Sequence, residues 1–93
     1  MPLSLIFCGT PSFAVRTLEK LVAAGHRVPL VVTQPDRPKG RGLELVASAV
    51  KQSALKLNLP IAQPDRIKTN EEFRAQLTAL KPDAIIVVGY GRI

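Results

Sequence analysis

An α/β fold, with a parallel sheet sandwiched between two layers of helix, is predicted by three features of this sequence. Four apolar segments of strand length alternate with three segments of helical period. The chain opens strand, helix, strand within its first third, the order that right-handed crossovers turn into adjacent parallel strands. The outermost apolar segments show no polar alternation, so they need cover on both faces, which helices above and below a sheet supply. The expected strand order is 3-2-1-4, and the alternation is expected to stop after the fourth strand.

The elements follow in turn. Leu3-Ser4-Leu5-Ile6-Phe7-Cys8 reads as a buried strand closed by Gly9. Thr10 and Pro11 then supply an N-cap and a first-turn proline for a helix that turns Val15, Leu18, Leu21 and Val22 inward and ends at Gly25. Val28 to Thr33 is the second strand, with Pro29 near its start, where a missing N–H does least harm. A second helix is expected from Ser48 to about Asn58, carrying Val50, Ala54 and Leu57 inward, and Pro60 ends it before the short strand Ile61-Ala62-Gln63. Thr69 and Glu72 have capping-box spacing for a third helix with Phe73, Leu77 and Leu80 on its apolar face. After Pro82, Ala84 to Val88 forms the fourth strand, expected to be covered on both sides.

Composition narrows the class. At 93 residues, 46% apolar and 22% charged, the chain has the make-up of one folded domain. Thirteen Lys and Arg against seven Asp and Glu leave a net charge of +6, which favours a polyanionic partner through long-range attraction. The single cysteine, Cys8, can form no internal disulfide and sits in an apolar run, as expected of a reducing cytoplasmic compartment. The opening apolar run is too short for a membrane span and lacks the basic flank of a signal peptide.

In open parallel sheets, ligands bind beyond the carboxyl ends of the strands, which leaves three loops to consider. His26, the only histidine, lies between the first helix and second strand at the opposite, amino end, and Asp83 precedes the fourth strand there, so neither is a catalytic candidate. The loop Gly9-Thr10-Pro11-Ser12-Phe13 has one glycine where a dinucleotide fingerprint needs three, which argues against NAD while leaving helix N–H groups near the site. The second loop, Gln34 to Ala47, is far longer than the roughly 2–6 residues a strand-to-helix connection needs. In it Arg37, Lys39 and Arg41 alternate with Pro38, Gly40 and Gly42, which keeps the cations extended and mobile, either as a purely solvated flexible loop or as an arm that orders on an RNA backbone. Arg41 is the preferred RNA-reading residue, because a guanidinium can stack on an unpaired base while bonding a phosphate. The third loop, Gly89-Tyr90-Gly91-Arg92-Ile93, could line a pocket for a flat heterocycle or could simply turn away while Tyr90 packs in the core.

Three stretches carry a resemblance: Ile6-Phe7-Cys8-Gly9-Thr10-Pro11-Ser12-Phe13-Ala14, then Thr33-Gln34-Pro35-Asp36-Arg37-Pro38-Lys39-Gly40-Arg41-Gly42, then Pro82-Asp83-Ala84 leading to Val87-Val88-Gly89-Tyr90-Gly91. Together they resemble the methionyl-tRNA formyltransferase family over the whole chain, the middle stretch being the most specific. The resemblance implies a Rossmann-like three-layer α/β/α domain. It also implies transfer of a formyl group from 10-formyltetrahydrofolate, as co-substrate, to the methionine amino group of initiator methionyl-tRNA, with no metal. Arg37, Lys39, Gly40, Arg41 and Gly42 would meet the tRNA acceptor end. Tyr90, Gly91, Arg92 and Ile93 would form one wall of the folate pocket, with Gly9, Thr10 and Pro11 nearby.

The family's Asn-His-Asp catalytic set would lie past residue 93, as would the rest of the catalytic domain and a C-terminal domain, so the 93-residue chain alone is expected to be inactive. Binding of tRNA would then be weak, and copies could associate through the strand Ala84 to Val88. The alternatives are another formyl-folate enzyme, of the nucleotide-sugar formyltransferase or formyltetrahydrofolate hydrolase type, or a small basic RNA-binding module.

Overall fold

A computed structural model describes residues 2–39, 42, 44–64 and 70–90, and the side chains of residues 37–39 and 44 are outside the description. Strands β1 (Ser4–Gly9), β2 (Arg27–Val32), β5 (Ile61–Ala62) and β6 (Ala84–Val88) form one parallel sheet in the order β5-β2-β1-β6. This is the 3-2-1-4 order expected from the alternation of apolar segments. Helices α1 (Ser12–Ala23) and α2 (Ala49–Lys56) cover one face, and α3 (Glu71–Leu80) lies on the other.

The period-2 geometry of β1 sorts its side chains between the two layers. Phe7 joins Ala14 and Leu18 of α1, Val50 and Ala54 of α2, and Val28 and Val31 of β2 in one core cluster. Ile6 points the other way, to a second cluster with Leu30, Val32, Phe73 and Tyr90, bordered by Cys8, Leu77 and Leu80. Both β1 faces are buried, as the unbroken apolar run predicts.

Local chemistry departs from expectation at four places. Pro29 has no N–H to give the ladder, and the pairing slips there: Ser4 stands opposite Arg27, whereas Ile6 stands opposite Leu30. Pro11, not Thr10, occupies the N-cap position of α1, with no side-chain capping bond, because the Thr10 hydroxyl is engaged elsewhere. The cap of α3 is Asn70, whose Oδ1 accepts from Phe73 N at 2.9 Å, while Thr69 of the expected capping box lies outside the described residues. The fourth is β6. Ile86 and Val88 pack under the α1/α2 layer, but Ile85 and Val87 are 48% and 51% exposed, so the expectation of cover on both sides is corrected. The reason is lateral: the apolar side of α3 sits over β1 and β2 and does not extend across β6.

Candidate functional site

The carboxyl ends of β1, β2, β5 and β6 converge on one rim, and a hydrogen-bond network joins the loops that leave them. Gly9 closes β1 where only a glycine fits. A Cβ there would stand 2.9 Å from the Val88 carbonyl oxygen and 2.9 Å from the Phe7 ring. That close approach of β1 to β6 places the next residue, Thr10, beside the chain leaving β6.

Thr10 uses its hydroxyl twice. Oγ1 donates to the Tyr90 carbonyl at 2.9 Å and accepts from Gln34 N at 3.4 Å. Gln34 Nε2 donates to the same Tyr90 oxygen at 3.2 Å. Three loops, after β1, β2 and β6, thus share one buried-edge junction. At its side, Thr33 is fully buried with its hydroxyl 2.6 Å from that of Ser48, the N-cap of α2, which in turn accepts from Lys51 N.

Beyond Gln34 the network continues to Asp36. Lys51 Nζ, from α2, donates to both carboxylate oxygens at 3.1 and 3.0 Å. Gln63 Nε2, just past β5, donates to Asp36 Oδ1 at 2.7 Å and to the Gln34 carbonyl at 3.1 Å. These bonds, Gln63 first and Lys51 second, hold the Asp36 carboxyl below the ordinary carboxylate range. Among the described residues, Asp36–Lys51 is the one ion pair.

The second loop is built differently from its expected form. Residues Arg37–Lys39 form strand β3 and pair antiparallel with strand β4, Glu44–Val46, as a two-stranded arm. The backbone is extended as expected, but it is ordered by a partner strand and not left as a free loop. Alternation of Arg, Pro and Lys gives no apolar face that would have announced the pairing. Gly42 stands exposed in the turn region, and Leu45 of β4 is 68% exposed. Gly40 and Arg41 lie outside the described residues.

Tyr90 resolves the two readings of the third loop for its own side chain. It is 3% exposed, and its ring belongs to the second core cluster, where burial raises its phenol above the ordinary value. What it offers the rim is its carbonyl. Gly91, Arg92 and Ile93 lie outside the described residues. Below the ring, Cys8, Val32, Phe73, Leu77, Ile85, Val87 and Tyr90 line an open depression of about 180 Å³ whose walls are wholly apolar. A pterin, with donors and acceptors along its edge, does not suit those walls. The Cys8 thiol there is pushed up to about 11 by burial, so it is protonated and unreactive at neutral pH.

His26 and Asp83 are where the topology sends them. Nδ1 of His26 accepts from Leu3 N at 3.0 Å and Oδ2 of Asp83 from Ser4 N at 2.7 Å, both at the amino end of β1, away from the rim. No cluster of three or more metal-ligating side chains occurs among the described residues, and no helix among them is long and apolar enough to cross a membrane. The structure brings Thr10 and Tyr90 together on the rim at the carboxyl ends of the strands, and with them Gln34, Asp36, Lys51 and Gln63, which no motif in the sequence singles out. The only signal available was the unusual length of the loop that Asp36 begins.

Comparisons with known proteins bear on the family and on the fold. The formyl transferase family model matches residues 3–93. The chain is 72% identical over 89 residues to the methionyl-tRNA formyltransferase of Koribacter versatilis, covering 96% of this chain and 28% of that protein. It is 66% identical over 91 residues to the methionyl-tRNA formyltransferase of Acidobacterium capsulatum, covering 98% of this chain and 29% of that one. The fold is similar to a crystal structure of phosphoribosylglycinamide formyltransferase from Bacillus halodurans, with a TM-score of 0.64 at 18% identity, over 97% of this chain and 46% of that chain. The chain thus spans less than a third of the length of the curated relatives it matches.

Proposed function

The chain belongs to the formyl transferase family, and from that premise we propose that it is the part of a methionyl-tRNA formyltransferase that carries the tRNA-facing arm and one side of the folate site. The reaction would move a formyl group from 10-formyltetrahydrofolate to the methionine amino group of initiator methionyl-tRNA. The observation that carries this reading is the shared rim. Gln34, two residues before the arm's root at Asp36, donates to the carbonyl of Tyr90, so polyanion and folate would be presented to the same place. Identity of 66–72% to relatives bearing that name supports the choice of acceptor over a nucleotide sugar.

In this reading Arg37, Lys39 and Arg41 meet phosphates of the acceptor end, while Gly40 and Gly42 let the backbone approach. The Tyr90 ring is committed to the core, so the segment Tyr90 to Ile93 contributes to the folate wall through its backbone and through the residues after Tyr90. Gly9, Thr10 and Pro11 border the site, and Thr10 supports it by bonding the Tyr90 carbonyl.

The chemistry needs a base for the amine proton and a donor for the tetrahedral oxyanion. The one histidine is at the amino end of the sheet and the rim carboxylate Asp36 is tied to Lys51 and Gln63. With neither group free on the rim among the described residues, no formyl transfer by the 93-residue chain is expected. The test is a salt titration of binding to an acceptor-stem RNA with a single-stranded 3′ end. Arg41→Ala should weaken binding and reduce the magnitude of the log–log salt slope by about 0.7–0.9. An unchanged slope removes the arm from RNA recognition, and formyl transfer by the purified chain would refute the expectation of inactivity.

A further inference from the structure

We infer that Asp36 is a positioning residue: its carboxylate, held by Lys51 and Gln63, fixes the direction in which the β3–β4 arm leaves the sheet. The inference rests on the proposed RNA-facing role for what the arm does, and on geometry alone for how it is held.

Asp36, the last residue before β3, is one of the arm's two attachments, the other being Ala47 after β4, whose carbonyl accepts from Gln52 Nε2 at 3.0 Å. The Asp36 side chain is gripped from two elements that do not belong to the arm. Lys51 projects from the first turns of α2, and its ammonium spans both carboxylate oxygens at 3.1 and 3.0 Å. Gln63 follows β5 and reaches Oδ1 at 2.7 Å. The same Gln63 amide nitrogen also holds the Gln34 carbonyl at 3.1 Å, two residues before Asp36, so the chain is pinned on both sides of Pro35. Lys51 and Asp36 side chains are 22% and 28% exposed, so the pair is partly shielded from water. Ordinary surface pairs hold little, but this carboxylate takes charge-assisted bonds from two directions, which restrict rotation as a single contact would not.

An acidic residue at the root of a basic arm is otherwise an electrostatic handicap. Asp36 lowers the local positive potential that would attract a polyanion, and a solvated asparagine or serine would begin the loop equally well. Positioning accounts for an anion at this place.

The two accounts differ in the sign of a measurable effect. Asp36→Asn adds one unit of net positive charge, so long-range attraction alone makes the 93-residue chain bind the acceptor-stem RNA more tightly. If Asp36 aims the arm, the same change weakens that binding, and the charge-neutral Gln63→Ala weakens it too. Independently of RNA, amide exchange at residues 37, 39 and 44–46 should quicken in both variants while β1 stays unchanged, because a short ladder whose root is no longer pinned frays from that end. About tenfold is expected for loss of a hydrogen bond to a charged group in a local opening equilibrium. The exchanged pair Asp36→Lys with Lys51→Asp should recover part of the protection that either single change removes. Unaltered exchange in the arm of Asp36→Asn and Gln63→Ala overturns the inference whatever the RNA does. Faster exchange with tighter RNA binding leaves Asp36 as the residue that holds the arm and removes RNA as the partner the arm is aimed at.

Discussion

On one face of the sheet, Phe7 and Val31 lie beneath α1 and α2 with no solvent contact; on the other, Ile85 and Val87 stand about half exposed beside a single helix. The residues of β6 are equally apolar on both sides, since Ile86 and Val88 differ from Ile85 and Val87 only in parity. Burial is thus decided by what packs over a strand and not by the strand's own composition. Two helices packed on each other cover the first face to the edge, whereas α3 spends its apolar side, Phe73, Leu77 and Leu80, on β1 and β2. Both faces bury a core cluster, but the second has an open apolar depression between α3 and β6.

The largest expected effect lies on the covered face. Phe7→Ala should cost about 3–5 kcal/mol from lost burial and the cavity left behind, against a total stability of roughly 5–14 kcal/mol for a domain of this size. Urea unfolding followed by far-UV circular dichroism would show this as a large fall in midpoint. A loss below about 1 kcal/mol would mean that the first face does not dominate stability.

A smaller effect tests how α3 is held on the second face. Asn70→Ala removes the bond to Phe73 N and should cost about 0.5–2 kcal/mol. The amide of Phe73 should lose protection before those of α1, as read by hydrogen exchange. Equal changes in both helices would show that the two layers unfold as one unit and that neither face is the weaker.

The smallest effect on stability is expected on the half-exposed side of β6. Ile85→Lys with Val87→Lys should change the unfolding free energy by no more than about 0.5 kcal/mol per site. If copies associate through β6, the same double variant should lower the mass seen by light scattering at high concentration. A large loss of stability would instead show that these two side chains are covered in solution.

The site was legible to different depths. Thr10 was visible as a polar residue at the start of α1, but capping is the local use of a threonine and nothing local distinguishes it from the use found, a bridge between Tyr90 O and Gln34 N. The end of β6 puts Tyr90 on the rim, yet whether its ring faces a ligand or the core depends on Phe73 and Leu77 lying below it. Asp36, Lys51 and Gln63 are separated by 15 and 27 residues from one another along the chain as measured from Asp36, and no spacing rule joins a loop, a helix and a strand end. The arm itself announced its length and charge, while its pairing as β3 with β4 did not show, because Pro38 and the flanking charges carry no strand alternation.

Local pattern along the chain suffices for the identity of the layers and their order. Unbroken apolar runs demand a buried sheet, amphipathic period demands helices on it, and short crossovers leave one economical strand order. Those are one-dimensional signals, carried by neighbours within a few residues. Only the tertiary structure decided how far α3 reaches across the sheet, which Asp36 partners close around the arm's root, and which way Tyr90 turns. Each of these depends on contacts between residues distant in the chain, whose energies exist only once the elements are packed.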